Sequence, residues 1–254
     1  MNNQPLATEG DPRGLAELVL VRHGESVGNV ADREAIAAKA HRLELETRDA
    51  DIELSDEGQR QADALGEHLA QMPDDERPTV VVSSPYRRAR STAERALKSL
   101  DLEVVIDERI RERELGIFDG VTWYGIAADH PEESARRDRL GKFYYRPPGG
   151  ESWADVILRV RSIVLELQER FRGERVWLFC HEAVILAFRY VLEGLNEERV
   201  LALQKEEPVA NCSMTRYRMT DGALTLVRSE DTSAVEESDD ARVTHEDSHA
   251  EEDN

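Results

Sequence analysis

Two histidines in this chain stand where apolar runs stop: Arg22-His23-Gly24 follows the run 18–21, and His181 follows the run 175–180. Runs of leucine and β-branched residues read as buried parallel strands, and open α/β sheets bind their ligands beyond the carboxyl ends of such strands. A third run, 79–83, leads into Ser84-Pro85-Tyr86-Arg87-Arg88. Proline suits the first turn of a helix, so Arg87 and Arg88 fall near a helix N-terminus at the end of a strand, a phosphate-binding position. A fourth run, 103–106, leads to Glu112, a carboxylate placed where a proton donor could sit. Each signal alone has an ordinary reading: a strand-end histidine capped by a turn, an arginine-rich helix face in water, a mixed-charge surface. Their convergence is what counts, because parallel strands bring all four ends to one edge of a sheet. Of Arg87, Arg88 and Arg90, at most two can face that edge from one helix.

The rest of the pattern supplies elements to hold these ends. Gly24 lets the chain turn sharply after His23. Ser55 is a good N-cap for a helix carrying Ala62, Leu65 and Leu69 at helical spacing, which Pro73 ends. Ser152 and Asp155 form a capping box that opens a long helix through Val156, Val160, Ile163, Val164, Leu167 and Phe171. Residues 183–192 form an apolar helix, and 213–219 with 223–228 alternate around Asp221-Gly222 as a closing hairpin. The expected fold is α/β in three layers, a mostly parallel sheet flanked by helices on both faces. Residues 30–51 read as a surface excursion without a clear motif. Residues 117–151 break the rhythm, with Trp123, Tyr124, Phe143, Tyr144 and Tyr145 among Arg136, Arg137, Arg139, Lys142 and Arg146. That mixture suits a cap over an anionic ligand, although packing of the excursion onto the domain would explain the aromatics equally well.

At 254 residues, 40% of them hydrophobic, the chain suits one catalytic domain over 15–228. The net charge of -20 is uneven: residues 229–254 hold eleven acids and one arginine, half of that excess. With few large apolar residues this tail is expected to be disordered and dispensable for catalysis, and residues 1–14 look similar. His245 and His249 are four apart, but without a helix to fix them they make no metal pair. Cys180 and Cys212 are expected to be reduced, and no window approaches the ~20 apolar residues of a membrane span. The expected setting is cytoplasmic, with neither nucleic acid nor membrane as partner.

Taken together, Arg22-His23-Gly24-Glu25-Ser26 with Asn29, Leu54-Ser55 through Gly58 and Gln61-Ala62, Ser83-Ser84 through Arg88-Ala89 and Thr92-Ala93, Glu112 with Gly116, and Gly150-Glu151-Ser152 resemble the histidine phosphatase superfamily, the phosphoglycerate mutase-like group. The resemblance covers roughly 15–228 in family order, and departs from it at Glu182, where the family usually has glycine after the second histidine. It implies a phosphoglycerate mutase-like fold and an enzyme acting on a small phosphorylated metabolite, with no metal or other cofactor. His23 would become a phosphohistidine, Arg22 and Arg88 would grip the phosphoryl oxygens, and Ser26, Asn29 and a protonated His181 would add contacts. Glu112 would be the general acid. Hydrolysis of small phosphomonoesters is the expected outcome, because Gly116-Ile117-Phe118-Asp119-Gly120 is similar to the phosphatase branch. A phosphoglycerate or phosphosugar mutase, and an inactive binding protein, are the alternatives.

Overall fold

A computed structural model describes residues 14–245. Residues 1–13 and 246–254, among them His249, lie outside the described residues, and so does the disorder expected of them. Four parallel strands, β1 (Glu17–Arg22), β2 (Val80–Ser83), β3 (Val104–Ile106) and β4 (Arg175–Cys180), and an antiparallel hairpin, β5 (Met214–Thr220) and β6 (Ala223–Asp231), make a sheet ordered β3-β2-β4-β1-β5-β6. β1 and β4 lie side by side, with Leu18 opposite Val176 and Arg22 opposite Cys180.

Alternation along these central strands builds three layers. Leu18, Leu20, Val176 and Leu178 face the core under α6 (Trp153–Arg170) and α7 (Glu182–Leu192), while Val19, Val21, Trp177 and Phe179 face the core under α2 (Asp56–Gln71) and α3 (Arg87–Ala96). Burial on both faces explains why these strands read as continuous apolar runs. The fold is the expected three-layer α/β one. The excursion 30–51 begins with α1 (Val27–Ala37) and ends in a 3-10 turn at Asp49–Asp51. The segment 117–151 carries two short helices, α4 (Trp123–Asp129) and α5 (Pro131–Leu140), and α8 (Glu197–Glu206) packs on α7.

The acidic tail departs from expectation. Glu230 and Asp231 belong to β6, Asp231 pairing with Met214, and α9 (Ser233–Glu236) buries Ala234 and Val235 against α2. Residues 242–244 then bond to Glu57, Gln61 and Asn211. Disorder starting at 229 is therefore wrong for 229–245. Average composition hid two well-placed apolar residues and a strand edge that needed a partner.

Candidate active site

His23 lies one residue past the β1–β4 ladder, and His181 leaves β4 at the same level. Their rings meet edge to face with 5.1 Å between centroids. The His23 Nδ1–H donates to the Gly24 carbonyl at 2.7 Å, which leaves the lone pair on Nε2, and the Arg88 Nε–H donates to that Nε2 at 3.3 Å. The tautomer is thus set by a backbone contact. The turn that supplies it needs glycine: a Cβ on Gly24 would lie 2.5 Å from the Gly58 carbonyl oxygen. Burial, and then the positive charges of Arg88 and Arg22, hold the His23 imidazole well below its ordinary value of 6.5.

His181 is fully buried, with its Nε2 2.8 Å from Ser84 Oγ. Burial first, then Arg88, His23 and Arg22, lower its pKa too, which favours the neutral ring until an anion is bound; the protonated His181 that the family resemblance implies belongs to the phosphate-bound site. An added positive charge would be disfavoured there until an anion arrives. Arg22, 1% exposed, donates from Nη1 to the Val209 carbonyl and lies 3.9 Å from Glu182 Oε2. Glu182, the departure from the family pattern, thus stands beside an arginine of the site.

α3 decides among its arginines. Arg87 turns out to Glu53 and Arg90 to Glu94, while Arg88 is 5% exposed and points to His23. Its Nη1 donates to Asp49 Oδ1 at 2.9 Å and to the Asp49 carbonyl at 2.7 Å, and its Nη2 to Oδ2 at 3.3 Å. Asp49 was not legible in the sequence, since it lies in the stretch without a motif. Ser26 caps α1: its Oγ accepts from the Asn29 amide at 3.1 Å, and Asn29 Oδ1 accepts from the Ser26 amide at 2.9 Å. Both side chains border the cavity.

Glu112 is placed by α6. Arg159 donates to the Glu112 carbonyl at 3.2 Å and to Glu151 Oε1 at 3.0 Å, and Glu151 in turn accepts from Arg111 at 2.8 Å. The Arg113 amide donates to Glu112 Oε1 at 2.7 Å. Glu114 has a different neighbour, accepting from the Tyr86 hydroxyl at 2.7 Å.

A cavity of about 770 Å³ opens above these groups, and His23, Ser26, Asn29, Arg88 and Glu112 line it, while Arg22 and His181 lie in the buried layer next to them. The excursion 117–151 divides its side chains. Trp123, Arg137, Lys142 and Tyr145 line the cavity, whereas Phe143 joins the core, Tyr144 reaches Glu197, and Arg146 reaches Asp155. The segment thus lines the cavity with some residues and packs onto the domain with others. The set can bind a phosphoryl group against a neutral imidazole, with a carboxylate available for proton transfer.

Comparison with known proteins gives the same picture. The family model of the histidine phosphatase superfamily (branch 1) matches residues 18–232. The chain is 31% identical over 200 residues to a 2,3-bisphosphoglycerate-dependent phosphoglycerate mutase from Gloeobacter violaceus, covering 76% of this chain and 82% of the relative. It is 37% identical over 150 residues to glucosyl-3-phosphoglycerate phosphatase from Mycobacterium tuberculosis, 59% of each chain. Among solved structures, the mycobacterial glucosyl-3-phosphoglycerate phosphatase with inorganic phosphate superposes with a TM-score of 0.67 at 29% identity, over 87% of this chain and 99% of that one.

Proposed function

This chain belongs to branch 1 of the histidine phosphatase superfamily, and on that premise we propose that it hydrolyses small phosphomonoesters bearing a second acidic group, through a phosphohistidine on His23. One observation carries the reading: His23 Nε2 is an unprotonated acceptor, backed by Gly24 and faced by Arg88, at the wall of a cavity that Glu112 also lines. The Nε2 lone pair attacks phosphorus in line, and the bond to the ester oxygen breaks. Glu112 gives its proton to the leaving alkoxide. As a carboxylate it then takes a proton from water, whose oxygen attacks phosphorus and breaks the P–N bond, so phosphate leaves and both groups return to their starting states. Arg88 and Arg22 offset the phosphoryl charge during both transfers. A phosphoryl dianion in the cavity offsets the positive charges that, after burial, lower the His181 pKa, and so favours proton uptake there on binding.

Chemistry with this set is that of a phosphoric monoester hydrolase. A mutase uses the same steps up to the phosphohistidine, and one relative is a mutase, so the fate of that intermediate is the point to test. With 3-phosphoglycerate as substrate, steady release of inorganic phosphate is expected. Rapid formation of 2-phosphoglycerate with little free phosphate would reverse the reading.

The second acidic group is argued from Arg113. Its guanidinium lines the cavity, packs 5.5 Å from the centre of a Trp153 ring, and makes no hydrogen bond or ion pair among the described residues. Burial, and with it the positive charge of Arg137 in the same cavity, lower its pKa against the opposing pull of the Glu112 and Glu151 carboxylates. A planar carboxylate or a second phosphate on the substrate would give its donors bidentate partners. Arg113→Gln is expected to raise KM about tenfold for 3-phosphoglycerate, the loss of roughly one charged hydrogen bond. KM for p-nitrophenyl phosphate should hardly change. Equal changes for both substrates would remove the second group from the proposal.

A further inference from the structure

The C-terminal strand and strap make contacts that the chemistry above does not use. Beyond α9 the chain runs back over α2, where the Arg242 amide donates to Glu57 Oε1 at 2.6 Å, and reaches the loop 209–213 behind the nucleophile. There the Thr244 carbonyl accepts from the Asn211 amide at 2.8 Å. The Thr244 hydroxyl accepts from Gln61 Nε2 at 2.8 Å and donates to Asn211 Oδ1 at 3.0 Å. Each of these two amide side chains has its other end on the nucleophile's segment. Asn211 Nδ2 donates to the His23 carbonyl at 3.0 Å, and Gln61 Oε1 accepts from the Glu25 amide at 2.8 Å.

The bonds close a ring: His23 carbonyl, Asn211, Thr244, Gln61, Glu25 amide, and back through Gly24. Every donor in it faces an acceptor. The direction of each bond follows from its neighbours, because the two backbone groups fix which end of each amide is oxygen. Between an amide oxygen and an amide nitrogen only a group that both donates and accepts can complete the circuit, and a hydroxyl does so. Asn211 is 1% exposed, so its Oδ1 without the Thr244 hydroxyl would be a buried unsatisfied group, whereas Gln61 Nε2, also buried, would keep its second bond, to the Arg242 carbonyl at 2.7 Å. Gly24, inside the ring, supplies the carbonyl that sets the His23 tautomer.

We propose that Thr244 is a positioning residue for the nucleophile: the C-terminal strap, through its hydroxyl, holds the His23–Glu25 peptides in the conformation that aims Nε2 at phosphorus. Residues 242, 243 and 245 on either side are exposed, so the strap is held here by hydrogen bonds more than by apolar burial. Such contacts open at lower free energy than the core, which makes the geometry of the site responsive to the state of the C-terminal segment.

The proposal rests on His23 as nucleophile, and the test separates the two. Thr244→Val keeps the shape and removes the hydroxyl; Thr244→Ser keeps the hydroxyl. Single-turnover formation of the phosphoenzyme from p-nitrophenyl phosphate is expected to slow about tenfold in Thr244→Val, roughly the loss of one buried hydrogen bond. KM should stay near the parent's, the melting temperature should fall by roughly a few degrees, as one buried unsatisfied group implies, and Thr244→Ser should recover most of both the rate and the stability. A chain ending at Glu237, which keeps α9 and lacks the strap, should be at least as slow as Thr244→Val. The nitrogen resonances of the His23 ring give a readout independent of turnover and are expected to move in Thr244→Val but not in Thr244→Ser. Parent-like rates and resonances in Thr244→Val, or a loss that Thr244→Ser fails to recover, would overturn the proposal. Shifted resonances in a protein that never labels His23 would instead uphold the ring and overturn the phosphohistidine.

Discussion

His23→Ala protein is expected to show no turnover above background and no covalent phosphate after rapid quenching with radiolabelled substrate. The parent should yield an acid-labile, base-stable adduct. Among the described residues no other histidine and no cysteine lines the cavity: His181 is in the buried layer behind it, with its Nε2 against Ser84, and both cysteines are fully buried with their thiols pushed far up by desolvation. Removing the nucleophile therefore removes the route, and does not merely slow it. The electrostatics add a pH signature. His23 is held below its ordinary value, so its reactive neutral form persists to lower pH than in a solvated imidazole. The profile of kcat/KM, corrected for ionisation of the substrate, should therefore show no acid limb near 6.5. A limb there, or a label surviving in His23→Ala, would move the attack to another residue.

The second large effect concerns Glu112. Glu112→Gln keeps the shape and cannot give up a proton, and loss of a general acid costs about 10² to 10⁴ in rate. The loss should be large for an alkyl phosphate such as glycerol 3-phosphate and small for p-nitrophenyl phosphate, whose leaving group departs without help. Glu114→Gln should cost much less on either substrate. Its carboxylate accepts from Tyr86 and lies 3.7 Å from Arg111, which makes it a brace for the segment that carries Glu112. Equal losses of Glu112→Gln on both leaving groups would deny it the role of proton donor, and a larger selective loss in Glu114→Gln would transfer the role.

Local signals carried far in this chain because parallel strands convert sequence position into spatial position. His23, His181 and Arg88 could be read as neighbours from apolar runs that stop at them, and the register of β1 on β4 puts the two histidines at one level. The N-caps at Ser55 and Ser152 follow from hydrogen bonds within three residues, which a sequence displays directly. The contacts that tune the site had no such local trace. Asp49 reaches Arg88 across 39 residues, and Gln61 reaches Thr244 across 183, so neither partner announces the other. Which arginine of α3 faces inward depended on how that helix packs on β2 and β4. The charge of His181 depended on burial and on the guanidiniums around it, which residue types alone do not reveal. The tail taught the same lesson: its composition argued for disorder, yet an open strand edge, a small apolar patch on α2 and two buried amides gave residues 229–245 a place. Residue types and spacing determined which chemistry the chain carries and at which strand ends. Tertiary packing decided how the groups are aimed and charged, because aim and charge come from neighbours that only the folded chain brings into contact.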